Sequence, residues 1–177
     1  MNSSVWLVTG SASGLGRKIA EAVLAAGHRL VATARDPRRL EELVKAYRDL
    51  ARTAPHDVAD EQAASAAVQV AVEEFGRLDV VVNNAGYGDV APFEQLSSER
   101  FKAVVDTNFY GVVNVTRAAL PIMRKQRSGV ILQISSVGGR LALPWQRGLP
   151  CRQVGCRRVH RVPGAGSRPF WCQGVRA

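Results

Sequence analysis

Between Val5 and Ser135, five short apolar runs alternate with four helical patterns, and no other feature restricts the fold as much. The runs Val5–Thr9, Arg29–Ala34, Ala51–His56, Asp79–Asn83 and Gly129–Ser135 are short and rich in Val, Leu and Ile. Strands covered by helices on both faces have that composition. The stretches Leu15–Ala26, Pro37–Tyr47, Glu61–Phe75 and Ser97–Gln126 between them read as helices. Strand–helix alternation predicts an α/β fold with a parallel, doubly wound sheet. Right-handed crossovers then give the strand order 3-2-1-4-5. A length of 177 residues suits one domain, and 46% hydrophobic content supplies its core.

Local punctuation agrees with these boundaries. Pro37 suits a first helical turn, and Gly27 follows the first helix where a C-cap glycine belongs. Ser97 or Ser98 can cap the fourth helix, whose far end carries Arg124, Lys125 and Arg127. Pro121 is expected to bend that helix.

The segment from Thr9 to Gly16 joins the first strand to the first helix. Gly10 can make the tight turn, Gly14 can let backbone approach a pyrophosphate, and Gly16 permits close helix–strand packing. The helix N-terminus offers N–H groups to an anion. An ordinary strand-to-helix turn would also use glycine, but the flanking strand and helix favour phosphate binding.

The spacing here is T-G-x3-G-x-G, and it resembles the short-chain dehydrogenase/reductase family. The resemblance runs on through Asn83-Asn84-Ala85-Gly86 after the fourth strand, Asn108 in the fourth helix, and Ser135-Ser136 after the fifth strand. Four motifs in the family's order cover nearly all of Met1 to Pro144. The resemblance implies a Rossmann-type domain over residues 1–144, ending after its fifth strand, and an oxidoreductase activity. It implies cofactor contacts from Gly10, Ser11, Ser13, Gly14, Leu15 and Gly16. Asn84, Ala85 and Gly86 would line the ribose region, while Asn83 would brace neighbouring strands. Asp57 and Val58 resemble the pair that touches adenine, although Asp57 equally suits a cap on the next helix.

The end of the second strand bears on the choice of nucleotide. An acidic residue there would hold the ribose hydroxyls of NAD, and Ala34 stands in its place. Arg35 follows and suits a charge-assisted contact with a 2′-phosphate, which favours NADP over NAD. Arg35 could instead be a surface charge paired with Asp36 or Glu41.

In the family a Ser polarises the substrate carbonyl, a Tyr hydroxyl exchanges the proton, a Lys lowers that Tyr's pKa, and an Asn holds a relay water. Ser136 and Asn108 match two of these roles. The Tyr falls thirteen residues after the Ser and the Lys four further on, where this chain has Leu149 and Gln153. Turnover is therefore expected to be almost lost. The expected substrate class is a small carbonyl compound or alcohol, with one pocket wall at Tyr87–Phe93.

From Trp145 to Ala177 the character of the chain changes. This tail holds seven Arg, no Lys and no acidic residue, together with Cys151, Cys156, Cys172 and three of the prolines. Removing its seven charges from the formal +9 leaves 17 basic against 15 acidic residues. The basicity thus belongs to the tail, and a specific nucleic-acid partner is not expected. Its cysteines and His160 lack a convincing zinc spacing, so no metal site is expected. A frameshift accounts for the break. With suitable codons, the offset frame gives Tyr where Leu149 stands and Lys where Gln153 stands, inside a family-like segment. A chain so interrupted would leave the outer edge of the fifth strand unpaired and the family's homo-oligomer interface incomplete. No export signal and no bilayer-length apolar run is read, which makes the cytoplasm the default location.

Overall fold

The computed structural model describes residues 3–89 and 91–136, together with the backbone of 160–161. Its parallel strands are β1 (Val5–Val8), β2 (Arg29–Ala34), β3 (Ala51–Pro55), β4 (Val80–Asn83) and β5 (Val130–Gln133). They lie in the expected order β3-β2-β1-β4-β5. Two cores form because side chains alternate across each strand. Val5 and Leu7 of β1 face the cluster under α3 (Glu61–Phe75) and α5 (Gly111–Gln126). Val8 faces the opposite cluster, beneath α1 (Gly14–Ala25) and α2 (Glu41–Ala46), with Leu24, Leu40 and Leu43.

Three features differ from the sequence expectation. The helix expected over Pro37–Tyr47 begins as a 3-10 turn, Pro37–Leu40, before α2. The helix expected over Ser97–Gln126 is broken into α4 (Ser98–Val105), a π-helical stretch Asp106–Tyr110, and α5. Such π stretches insert an extra residue into a turn and often mark functional positions. The outer edge of β5, expected to be unpaired, meets an antiparallel strand β6 (His160–Arg161) opposite Val130 and Ile131. An open edge presents N–H and C=O groups that any extended segment can satisfy. The tail positions Leu149, Gln153, Cys151, Cys156 and Cys172 lie outside the described residues.

The caps explain where the helices start and stop. Asp60 accepts from the N–H groups of Gln62 and Ala63 at the start of α3, and Gly76 ends that helix at φ 75°. Ser97, rather than Ser98, caps α4 through the Arg100 N–H. Gly27 follows α1 at φ 77° as expected. No helix among the described residues is long and apolar enough to cross a membrane.

Candidate active site

The carboxyl ends of the parallel strands open onto a cavity of about 630 Å³, where a doubly wound sheet places its ligand crevice. Its floor is the turn between β1 and α1. Gly10 has φ 68° and Gly14 φ 56°, conformations that glycine adopts without strain. A Cβ at Gly10 would come within 3.0 Å of the Ala85 Cα, and one at Gly16 would strike the Gly10 carbonyl and the Asn84 side chain. A Cβ at Gly14 would meet nothing within 4 Å, so that glycine is required by its backbone angle and not by crowding.

The turn fits a diphosphate. Ser13, Gly14, Leu15 and Gly16 line the cavity at the start of α1, where Ser13 makes no side-chain cap bond and the first turn holds no acidic residue. The leading N–H groups of the helix are thus left to an anion at the positive end of its dipole. Ser11, expected among the cofactor contacts, does not line this cavity. It is fully buried, its hydroxyl donating to the Val8 carbonyl at 2.7 Å and its N–H to the Thr33 carbonyl. It holds the turn in place instead.

The turn is tied to the end of β4 through Thr9, a residue to which the sequence assigned no role. The buried Thr9 hydroxyl oxygen accepts from the N–H groups of Asn84 and Ala85, both at 2.9 Å. The Asn84 amide donates back to the Thr9 carbonyl at 2.9 Å. Asn84, Ala85 and Gly86 therefore line the cavity as expected. Asn83 points the other way: its amide donates to the Thr116 hydroxyl of α5, so it braces strand to helix more than strand to strand.

At the opposite end of the cavity lie Ala34, Arg35, Arg39, His56, Asp57 and Val58. Neither Asp36 nor Glu41 holds Arg35. Asp36 is paired with Arg38 and Glu41 with Lys45, and no ion pair involves Arg35 among the described residues. Asp57 is not a helix cap, because Asp60 has that place; its carboxylate accepts from the Ala59 N–H at 3.1 Å. Val58 is buried against Gly111 and offers the cavity little more than its edge. His56 is 4% exposed, and its Nδ1 lies 3.1 Å from the Thr33 hydroxyl. Burial pushes its pKa down to about 4, against the weaker opposing pull of Asp57 and Asp60. Arg39 and His56 were not singled out by sequence, because only the tertiary fold turns them to this end.

A second cavity of about 250 Å³ adjoins the first, sharing Asn84, Ala85, Gly86, Tyr87 and Ile134. It brings Ser136 and Asn108 to one hollow. Asn108 lies in the π stretch and clamps the backbone of Tyr87 in both directions. Its Oδ1 accepts from the Tyr87 N–H at 3.0 Å, and its Nδ2 donates to the Tyr87 carbonyl at 2.7 Å. A Cβ on Gly86 would lie 2.9 Å from that Oδ1, so glycine is needed for the clamp to close.

Comparison with known proteins agrees with this geometry. The family model described as short chain dehydrogenase matches residues 4–148. Oxidoreductase BOA17 of Botryotinia fuckeliana is 45% identical over 143 residues, covering 80% of this chain and 52% of that protein. The 3-ketodihydrosphingosine reductase of Bacteroides thetaiotaomicron is 38% identical over 146 residues, covering 82% and 52%. A short-chain dehydrogenase of known structure from Streptomyces avermitilis superposes with a TM-score of 0.82 at 38% identity, over 86% of this chain and 56% of that one. The chain spans about half the length of the curated relatives it matches. With the strand order, the glycine turn and the Ser136–Asn108 hollow in place, the chain belongs to the short-chain dehydrogenase family, whose members bind NAD(P).

Proposed function

We propose that the fold carried by this chain serves NADP(H)-dependent hydride transfer to or from a small carbonyl compound or secondary alcohol, and that the chain as written binds the dinucleotide with almost no turnover. The observation that carries the first part is the continuity of the two cavities, which runs from the glycine turn to Ser136. The nicotinamide cofactor, when bound, supplies or accepts the hydride. The glycine turn and the start of α1 hold its diphosphate, and Asn84 to Gly86 face its ribose. Ser136 donates a hydrogen bond to the substrate oxygen and so favours charge developing there. Asn108 positions the Tyr87 segment. Sharing one hollow with Ser136, Asn108 is also the residue to hold the relay water. Ala34 and Arg35 at the end of β2 support NADP over NAD.

The impairment rests on Leu149 and Gln153. Leucine has no proton to exchange, and glutamine has no charge to favour a phenolate. A phenol with a pKa near 10 needs such a charge to act as a base at neutral pH.

Isothermal titration of the full chain should give micromolar binding of NADPH, while no NADPH oxidation follows with a panel of ketones and aldehydes. A second chain, in which the segment from Trp145 is replaced by the offset-frame reading, should oxidise NADPH. Sequencing the gene across this region decides whether that frame exists. Equal turnover by both chains overturns the impairment, and lack of NADPH binding by both overturns the functional reading.

A further inference from the structure

The outer edge of β5 is covered by a strand from far along the chain, and the bonds of β5 to β4 fix how the two meet. The Val130 N–H donates to the Asp79 carbonyl at 2.8 Å, and the Ile134 N–H to the Asn83 carbonyl at 3.0 Å. Peptide groups alternate sides along a strand, so the N–H and C=O of Ile131 point away from β4. On that side lies β6, antiparallel, with Ile131 opposite His160 and Val130 opposite Arg161. Opposed residues in an antiparallel ladder alternate between bonded and non-bonded pairs. Ile131 and His160 are therefore the bonded pair, and the Arg161 N–H is turned outward, away from β5.

This edge needs a cover. The Ile131 side chain is 1% exposed and belongs to the core beneath α3 and α5, so fraying of β5 would open that core. Without β6, β5 would have a neighbour on one side only. An open edge along Val130, Ile131 and Leu132 is a template on which another chain can add a strand.

We propose that the segment around His160 is an intramolecular cap of the β5 edge, a strand that the chain adds to its own sheet, and that it keeps a second copy from pairing there. Main-chain bonds carry such an addition, as in other cases of strand augmentation. The register also accounts for the composition of the segment. Carried on from His160 and Arg161, it turns the backbone of Val162 toward β5 and that of Pro163 away from it. A proline there gives up no bond to β5 and offers no donor to a further strand. Arg157, Arg158 and Arg161, with no acidic residue near them in the chain, add charge that blunts the new outer edge. The cap stands apart from the nucleotide site, since Val130 and Ile131 line neither cavity.

Two proline variants of the full chain, set beside the wild type, test the register and the role together. His160→Pro removes an N–H aimed at β5, whereas Arg161→Pro removes one aimed at solvent. Amide exchange is read at Ile131, whose N–H faces β6, and at Val130 and Leu132, whose N–H groups face β4. His160→Pro should speed exchange at Ile131 about tenfold or more and leave Val130 and Leu132 within about twofold, which also shows that the sheet is folded. Arg161→Pro should match the wild type at all three amides. Light scattering over a concentration series should find larger species for His160→Pro than for either of the other chains. If Ile131 exchanges alike in all three, the cap is wrong. If His160→Pro frees Ile131 with no increase in size, protection against a second copy is overturned. If Ile131 of the wild type is protected only at concentrations where the chain is a dimer, the strand comes from a second copy, and the intramolecular cap is overturned.

Discussion

At the scale of single residues, two side chains at the cavity are defined by what surrounds them. Thr33 and His56 form a buried pair at the Arg35 end of the cavity, and His56 is held neutral there because its charged form would lose hydration it cannot regain. Its folded pKa of about 4 lies below the ordinary 6.5. A depressed histidine pKa means that the unfolded chain binds the proton more readily. The stabilisation from neutral His56 is thus fully present above pH 6.5 and is lost as the pH falls from 6.5 toward 4. Between pH 7.5 and pH 5 the single-site loss comes to about 2 kcal/mol. Urea unfolding of the wild type and of His56→Gln at both pH values checks this. The wild type should lose about that much more than the variant, and parallel losses would sink the assignment.

Among elements, the joint between β1 and β4 sets the geometry of the site. Thr9 closes β1 and reaches across to the first residues after β4, accepting two N–H groups there and donating to the Val82 carbonyl at 3.3 Å. The glycine turn and the Asn84–Gly86 segment are therefore tied to each other through Thr9. Thr9→Val keeps the shape but leaves the Asn84 and Ala85 N–H groups without their acceptor. Its expected cost is about 2 kcal/mol of stability, accompanied by weaker NADPH binding. Thr9→Ser keeps the hydroxyl and should retain both to within about 1 kcal/mol. Denaturant midpoints and NADPH titrations of the two variants give the comparison; a valine variant as stable as the serine one removes Thr9 from this role. The π stretch is the other joint, since it separates α4 from α5 and places Asn108 where it can clamp Tyr87.

For the whole molecule, stability is graded from the centre of the sheet outward. β1 and β4 each have a strand on both sides and helices on both faces, whereas β3 lies at an edge. Local opening is costliest where both ladders and both cores must break together. Hydrogen–deuterium exchange should accordingly be slowest at the amides of β1 and β4 and faster in β3. Equal protection of β3 and β1 would point to a cooperative unit larger than the sheet centre.

The α/β class, the strand order and the glycine turn were legible in the order of residues, because they follow from local periodicity and from backbone angles that only certain residues adopt. The sequence also placed Ser136, Asn108 and Asn84 to Gly86 by the order of their motifs. Which of the turn residues face the cavity depended on the folded contacts: Ser11 is turned inward by its bond to Val8, while Ser13 stays on the wall. Arg39 and His56 depended on them equally, being brought to one end of the cavity by a 3-10 turn and by the register of β2 with β3. The π-helical stretch at Asp106–Tyr110 was not read from the sequence, because no residue type within it specifies the wider i→i+5 turn. Contacts between segments distant in the chain carry no local signature, and for that reason the fold class could be read from the sequence while the roles of Thr9, Arg39 and His56 could not.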